Sequence, residues 1–240
     1  MKVLKFGGTS VGTSERMHNV LNIIEDTREG NAIVVLSAMS GTTNKLKQIA
    51  AYIEEGNLSE AKIACNHLSK EYIVVVYDLF ANEESIKNAL MMVNKQFNRI
   101  HSLMELPYSP TNEKIILAQG ELISTALFQV LCEELEVESS LLPAIEFMKT
   151  NEENCPDYEF IQEYLPEYLA GTDNHLFITQ GYICCDVFGH ISNLGRGGSD
   201  YTATIIGAVV KAEEIQIWTD IDGIHNNDPR YVKQLSLIHI

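Results

Sequence analysis

Cations are scarce in this sequence. Its 240 residues include 17 lysines and arginines against 33 aspartates and glutamates, a formal net charge of −16. Such a surface has no excess of cations to replace phosphate counterions, so neither nucleic acid nor an anionic membrane is expected as a partner. It also repels phosphorylated small molecules at long range. A phosphate site here must be built locally, from backbone N–H groups, a few placed cations and a metal ion. No stretch approaches the roughly 18 to 20 uninterrupted apolar residues of a membrane helix. No secretory signal precedes Met1-Lys2-Val3-Leu4-Lys5-Phe6, which runs straight into glycines, so a cytoplasmic protein is expected. The five cysteines (Cys65, Cys132, Cys155, Cys184 and Cys185) are irregularly spaced and include no Cys-x-x-Cys pair, which supports neither a zinc site nor a disulfide framework. The adjacent Cys184 and Cys185 read as small strand residues pointing to opposite faces. The seven histidines show no ligand spacing. There is no Gly-x-x-x-x-Gly-Lys-Ser/Thr loop and no Gly-x-Gly-x-x-Gly after the first strand, so any nucleotide site is of another kind.

What is present is an alternation of strand and helix patterns. Residues 2–6 read as a strand. Met17, Val20, Leu21 and Ile24 recur at helical spacing, with Ser14 as an N-cap. Ala32-Ile33-Val34-Val35-Leu36 is a continuous apolar run, as in a strand buried on both faces. A helix carrying Leu46, Ile49, Ala50 and Ile53 follows, and residues 59–105 read as a helical hairpin, although Ile73-Val74-Val75-Val76 has strand propensity. Pro107 and Pro110 are expected to break the chain before a helix over about 113–134. Further strands are expected at 138–143, 176–183 and 214–219, further helices at 157–169 and 201–210, and Val187 to Asn193 as a hairpin arm on the 176–183 strand. The pattern is α/β, a sheet with helices on both faces, and one domain.

Three segments carry chemistry. In Lys5-Phe6-Gly7-Gly8-Thr9-Ser10 a strand ends in glycines and leads to a helix. Glycines let backbone N–H groups approach an anion, and Lys5 adds a full charge; the alternative is an ordinary turn beside a surface lysine. In Asn193-Leu194-Gly195-Arg196-Gly197-Gly198-Ser199-Asp200 a second glycine loop opens a helix that Ser199 or Asp200 could cap. Arg196 there is suited to bidentate binding of carboxylate or phosphate. In Trp218-Thr219-Asp220-Ile221-Asp222-Gly223-Ile224, followed by Asp228-Pro229-Arg230, a strand delivers two acids and a glycine at its C-terminal end, where open α/β sheets bind ligands. Ser37, Thr43 and Asn44 after the second strand are lesser candidates. So is Glu121, which could hold an amino group or be an exposed helix glutamate.

Taken together, these segments resemble the blocks of the amino-acid kinase family, and within it those of aspartate kinases, in order and at similar spacing. The resemblance implies a three-layer sandwich with an open, mainly parallel eight-stranded sheet between helices. It implies ATP-dependent phosphorylation of the L-aspartate side chain to 4-phospho-L-aspartate, the first step toward lysine, threonine and methionine. Acetylglutamate, glutamate 5- and uridylate kinases are the nearest alternatives, beside a ligand-binding fragment without turnover. By motif, Lys5 and Asp200 would be catalytic. Thr43, Glu121, Arg196 and Ser199 would hold aspartate. Gly7, Gly8, Ser10, Thr219, Asp220, His225 and Arg230 would contact ATP, with Mg²⁺ carried by the nucleotide and no metal ligand from the protein. His225 stands where the family usually has tyrosine. Members continue past Asp-Pro-Arg into a segment with a further lysine and then regulatory ACT domains, and a homodimer is expected of the whole protein. Here Leu235-Ser236-Leu237-Ile238-His239-Ile240 does not resemble that continuation. It is the translation of CTG TCT CTT ATA CAC ATC, the end of a transposase adapter used in DNA library preparation. Residues 235–240 are therefore expected to be a scar on a truncated catalytic domain, 1–234.

Overall fold

A computed structural model describes residues 1–27, 30–171 and 173–219. Asp220, Asp222, His225, Arg230 and the 235–240 segment lie outside the described residues. Five parallel strands form the central sheet: β1 (Lys2–Phe6), β2 (Ala32–Leu36), β3 (Ser140–Leu142), β4 (Leu176–Gln180) and, numbered in chain order, β7 (Glu214–Trp218). Their spatial order is β3-β4-β2-β1-β7. A separate antiparallel ribbon pairs β5 (Ile183–Cys185) with β6 (Ile191–Asn193). Among the described residues the central sheet has five parallel strands between layers of helices, where the family resemblance implies eight mainly parallel ones.

Side-chain alternation explains the layers. Leu4, Phe6, Val34, Leu36, Leu176 and Ile178 point to one face. There they meet α1 (Ser14–Thr27), α2 (Thr42–Glu54), α3 (Leu58–Leu79), α4 (Glu83–Met104) and α5 (Pro110–Glu134). Val3, Ile33, Val35 and Phe177 point to the other face. They pack against α6 (Ala144–Phe147), α7 (Tyr158–Ala170) and α8 (Gly198–Val209). This period of two puts Lys5 on the same face as Val3, toward α8. The central strand β2 is buried at every position, as its unbroken apolar run predicts.

Several expectations change. Pro110 does not break a helix but begins one: Ser109 accepts a hydrogen bond from Asn112 N, and proline occupies the first turn, where its missing N–H costs nothing. Thr13, not Ser14, caps α1, accepting from Arg16 N at 3.3 Å; the Ser14 hydroxyl donates instead to Asp78 O. The β-branched run at 73–76 is helical within α3, because burial of Tyr72, Val76 and Leu79 outweighs local propensity. The strand expected over 176–183 divides at Gly181 and Tyr182. The hairpin arm pairs with β5, not β4. Helix α5 is long and apolar enough to cross a membrane, but 78% of its apolar window is buried within this fold, where it is the core helix. Gln119 and Glu121 interrupt its apolar residues, which is why no uninterrupted run marks it in the sequence.

Candidate active site

A cavity of about 880 Å³ opens at the carboxyl ends of the strands. Lys5, Gly8, Thr43, Glu121, Arg196, Ser199 and Asp200 all line it, so the first two sequence motifs and the residues flanking β2 and within α5 converge on one cleft. The Lys5 side chain is almost buried, and its Nζ lies 2.6 Å from Oδ1 of Asp200 in the first turn of α8. Asp200 is half exposed, so the pair orients the lysine at the cleft surface without contributing much stability. Gly7 stands beside this pair: a Cβ there would lie 3.6 Å from Lys5 Nζ.

Two helices aim their N-termini at the cleft. Helix α2 starts from Gly41 (φ 81°) and α8 from Gly197 (φ 74°), and neither cap residue makes a side-chain capping bond. The expected capping of α8 by Ser199 or Asp200 is thus not what forms; a left-handed glycine caps the helix and leaves Asp200 to Lys5. Uncapped N-termini present backbone donors and the positive end of the helix dipole, which suits an anion.

Glu121 occupies the opposite wall. It is 3% exposed, so it is not the exposed helix glutamate that the sequence also allowed. Oε1 accepts from Ala38 N at 3.1 Å, whereas Oε2 is buried without a hydrogen-bond partner among the described residues. Desolvation by burial pushes this carboxyl up from 4.5 to about 7, against the lowering effect of the Ala38 N–H. A buried carboxylate oxygen facing a cleft without a donor calls for a cationic ligand group. Gly120 lets α5 approach the β2–α2 loop, since a Cβ there would stand 2.8 Å from Ala38 Cβ. Ser124 Oγ also donates to Ser37 O at 2.8 Å, tying the same loop down.

Other expected residues fall elsewhere. Ser10 and Thr219 line a separate recess of about 250 Å³, with Phe6, Arg16 and Trp218. The Ser10 N–H donates to Gly7 O at 3.0 Å and closes the turn. Cleft residues that were not singled out from sequence include Lys47, Glu113, Lys114 and Tyr182. Lys47 is four residues after Thr43 and Lys114 seven before Glu121, so helical spacing from a known candidate could have found both. Lys114 Nζ donates to Ser192 Oγ at 3.0 Å, joining α5 to the ribbon. With them, four cations face three carboxylates in the cleft of an otherwise strongly acidic chain.

A strand-end crevice of this kind, with glycine loops in place of a P-loop, defines a class of proteins. The sequence profile of the amino acid kinase family matches residues 1–240, and the chain belongs to that family. More particularly, it is 31% identical over 235 residues to lysine-sensitive aspartokinase 3 of Escherichia coli (strain K12), covering 96% of this chain and 51% of that protein. It is 31% identical over 242 residues to an aspartokinase of Chlamydia trachomatis, covering 98% and 52%. The crystal structure of E. coli aspartokinase III in complex with aspartate and ADP superposes with a TM-score of 0.87 at 31% identity, covering 99% of this chain and 53% of that one. The chain spans about half the length of the curated relatives it matches.

Proposed function

We propose that this chain carries the catalytic site of an aspartate kinase, transferring the γ-phosphoryl group of ATP to the side-chain carboxylate of L-aspartate. One observation carries the reading: a buried carboxylate, one oxygen of which has no hydrogen-bond partner among the described residues, lines the same cleft as Lys5 and the glycine-started N-terminus of α8. The first suits the ammonium of an amino acid and the second suits phosphate. In this reading Glu121 receives the ammonium, Arg196 the α-carboxylate, and Thr43 and Ser199 flank the acceptor. The side-chain carboxylate oxygen attacks the γ-phosphorus, the bond to the β–γ bridging oxygen breaks, and ADP departs with that electron pair. No proton is moved, because a carboxylate is already ionised at neutral pH. The task is therefore to bring two anions into line, and Lys5 with the N–H groups of the loop at Gly7 and Gly8 offsets the charge spreading over the transferred group. Asp200 holds Lys5 in place. Mg²⁺ would ride on the nucleotide's phosphates, adding charge neutralisation there. Thr219, Asp220, His225 and Arg230 are assigned to the nucleotide by motif. The use of ATP suits a cytoplasmic reaction. Incubation with ATP, Mg²⁺, hydroxylamine and each candidate acid tests the assignment. Hydroxamate from aspartate supports it; hydroxamate from glutamate or acetylglutamate alone overturns the substrate, and calorimetric binding of ATP and aspartate without hydroxamate overturns turnover by this chain.

A further inference from the structure

The α3–α4 hairpin lines no part of the cleft, yet one of its side chains reaches the cleft's supporting layer. Tyr72 of α3 is 2% exposed and its hydroxyl lies 2.9 Å from Oγ1 of Thr42, itself 4% exposed. Thr42 is the first residue of α2, directly after the left-handed Gly41, and its neighbour Thr43 faces the cleft. The ring of Tyr72 is held from the other side by Phe97 of α4, with centroids 5.9 Å apart and planes tilted by 57°. The hydroxyl has no other partner among the described residues. Packing alone would be served by phenylalanine, since a buried hydroxyl is costly unless it is bonded in a defined geometry. The bond falls where α2 lacks any side-chain cap, at the turn that supplies Thr43 and the helix N–H groups. The same turn is fixed on its other side by Gly120, whose missing Cβ would stand 3.1 Å from Thr42 Cγ2. Thr42 is thus clamped between α3 and α5, and Tyr72 is the only hydrogen-bonding half of the clamp among the described residues.

We propose that Tyr72 is a positioning residue for the amino-acid side of the cleft, acting through Thr42 on the first turn of α2. The role of that turn as an acceptor site rests on the aspartate kinase reading; the clamp itself does not. Tyr72→Phe keeps the ring and removes the bond, Thr42→Val removes it from the other side, and Thr42→Ser keeps it. Amide hydrogen exchange on the ligand-free chain reads the clamp directly. Tyr72→Phe and Thr42→Val should speed exchange about fivefold or more over residues 38–46, with β1, β2 and β4 unchanged and Thr42→Ser close to wild type. In calorimetry both variants should weaken L-aspartate about fivefold while ATP stays within about twofold, because misplacing a positioning element costs affinity only where it touches ligand. Unchanged exchange over 38–46, or an equal rise across the whole sheet, overturns the proposal. Failure of the wild-type chain to bind aspartate overturns the functional reading, and the exchange comparison still decides the clamp.

Discussion

The two glycine loops of the cleft use glycine for different physical reasons. In the β1–α1 loop, Gly7 and Gly8 have ordinary negative-φ or extended backbone; neither is among the glycines with positive φ. What Gly8 needs is the absence of a side chain, since a Cβ would come within 2.6 Å of the Ala38 carbonyl oxygen. Its own carbonyl accepts from Ser40 N at 3.0 Å, so two loops are locked back to back. In the β6–α8 loop, Gly195 and Gly197 both sit at φ 74°, and a Cβ at either would meet nothing within 4 Å. At these two positions the demand is conformational and local, whereas Gly198, the first residue of α8, meets Tyr182, whose Cα a Cβ would approach to 3.1 Å. Gly8 is held by its neighbours and Gly197 by its own dihedrals, so damage at the first should spread and damage at the second should stay put.

The largest test of this contrast swaps the charged residues. If Lys5 acts on the transferring charge as proposed, Lys5→Ala should lower kcat about a thousandfold, with far-ultraviolet dichroism and unfolding midpoint nearly unchanged, since its partner Asp200 stays solvated. Arg196→Ala, from the other loop, should mainly raise KM for aspartate, by about tenfold to a hundredfold, with kcat less affected. An equal fall of kcat in both would erase the division of labour. Next, Gly8→Ala should cut kcat/KM about a hundredfold and cost about 1–3 kcal/mol in denaturant titration, since the Ala38 carbonyl is backbone and cannot swing aside. Gly197→Ala should cost only about 1–2 kcal/mol, with activity within a few-fold. If Gly197→Ala proved the more damaging, the contrast would be reversed.

The smallest effect is a pH dependence on the shared wall. The Glu121 pKa is raised from 4.5 to about 7 on folding, so the folded state binds more protons between those values. Its contribution to stability is full below about 4.5 and is lost as pH rises toward 7. Affinity for an amino acid's ammonium should run the opposite way, improving as pH rises through 7 and the carboxylate ionises. Glu121→Gln should flatten both profiles, measured by urea midpoint and by calorimetric Kd.

Much of this was legible in sequence, for reasons that also mark where legibility ends. Continuous apolar runs gave β2 and β4, and helical spacing gave α1, α2 and the α3–α4 hairpin, because burial on a known face imposes a period. The first two ligand motifs pointed to the cleft through residue types that folding alone does not require. What escaped depends on contacts far apart in sequence. The 176–183 strand divides because Gly181 lies against Ser199, where a Cβ would approach to 2.6 Å, and because Tyr182 takes φ 68°. Nothing in a β-prone tyrosine announces that. Ser10 shows a subtler limit: the turn consumes its N–H, which leaves the hydroxyl for a ligand, and it lines a recess apart from the cleft. Nothing in the sequence singles out Tyr72, since the partner that gives its hydroxyl meaning is 30 residues away.

The strand parity that places Lys5 has a practical consequence. Adding or deleting one residue within β1 would rotate every later strand side chain to the opposite layer, sending the ammonium into the packed helices and Leu4 or Phe6 into the cleft. The register is also held from one end of the strand: the Met1 carbonyl accepts from Glu213 N at 3.0 Å, and Lys2 stands in register with Ala32 and Glu214. The Met1–Glu213 contact works like the zero mark of a ruler, clamped four residues before the reading that matters.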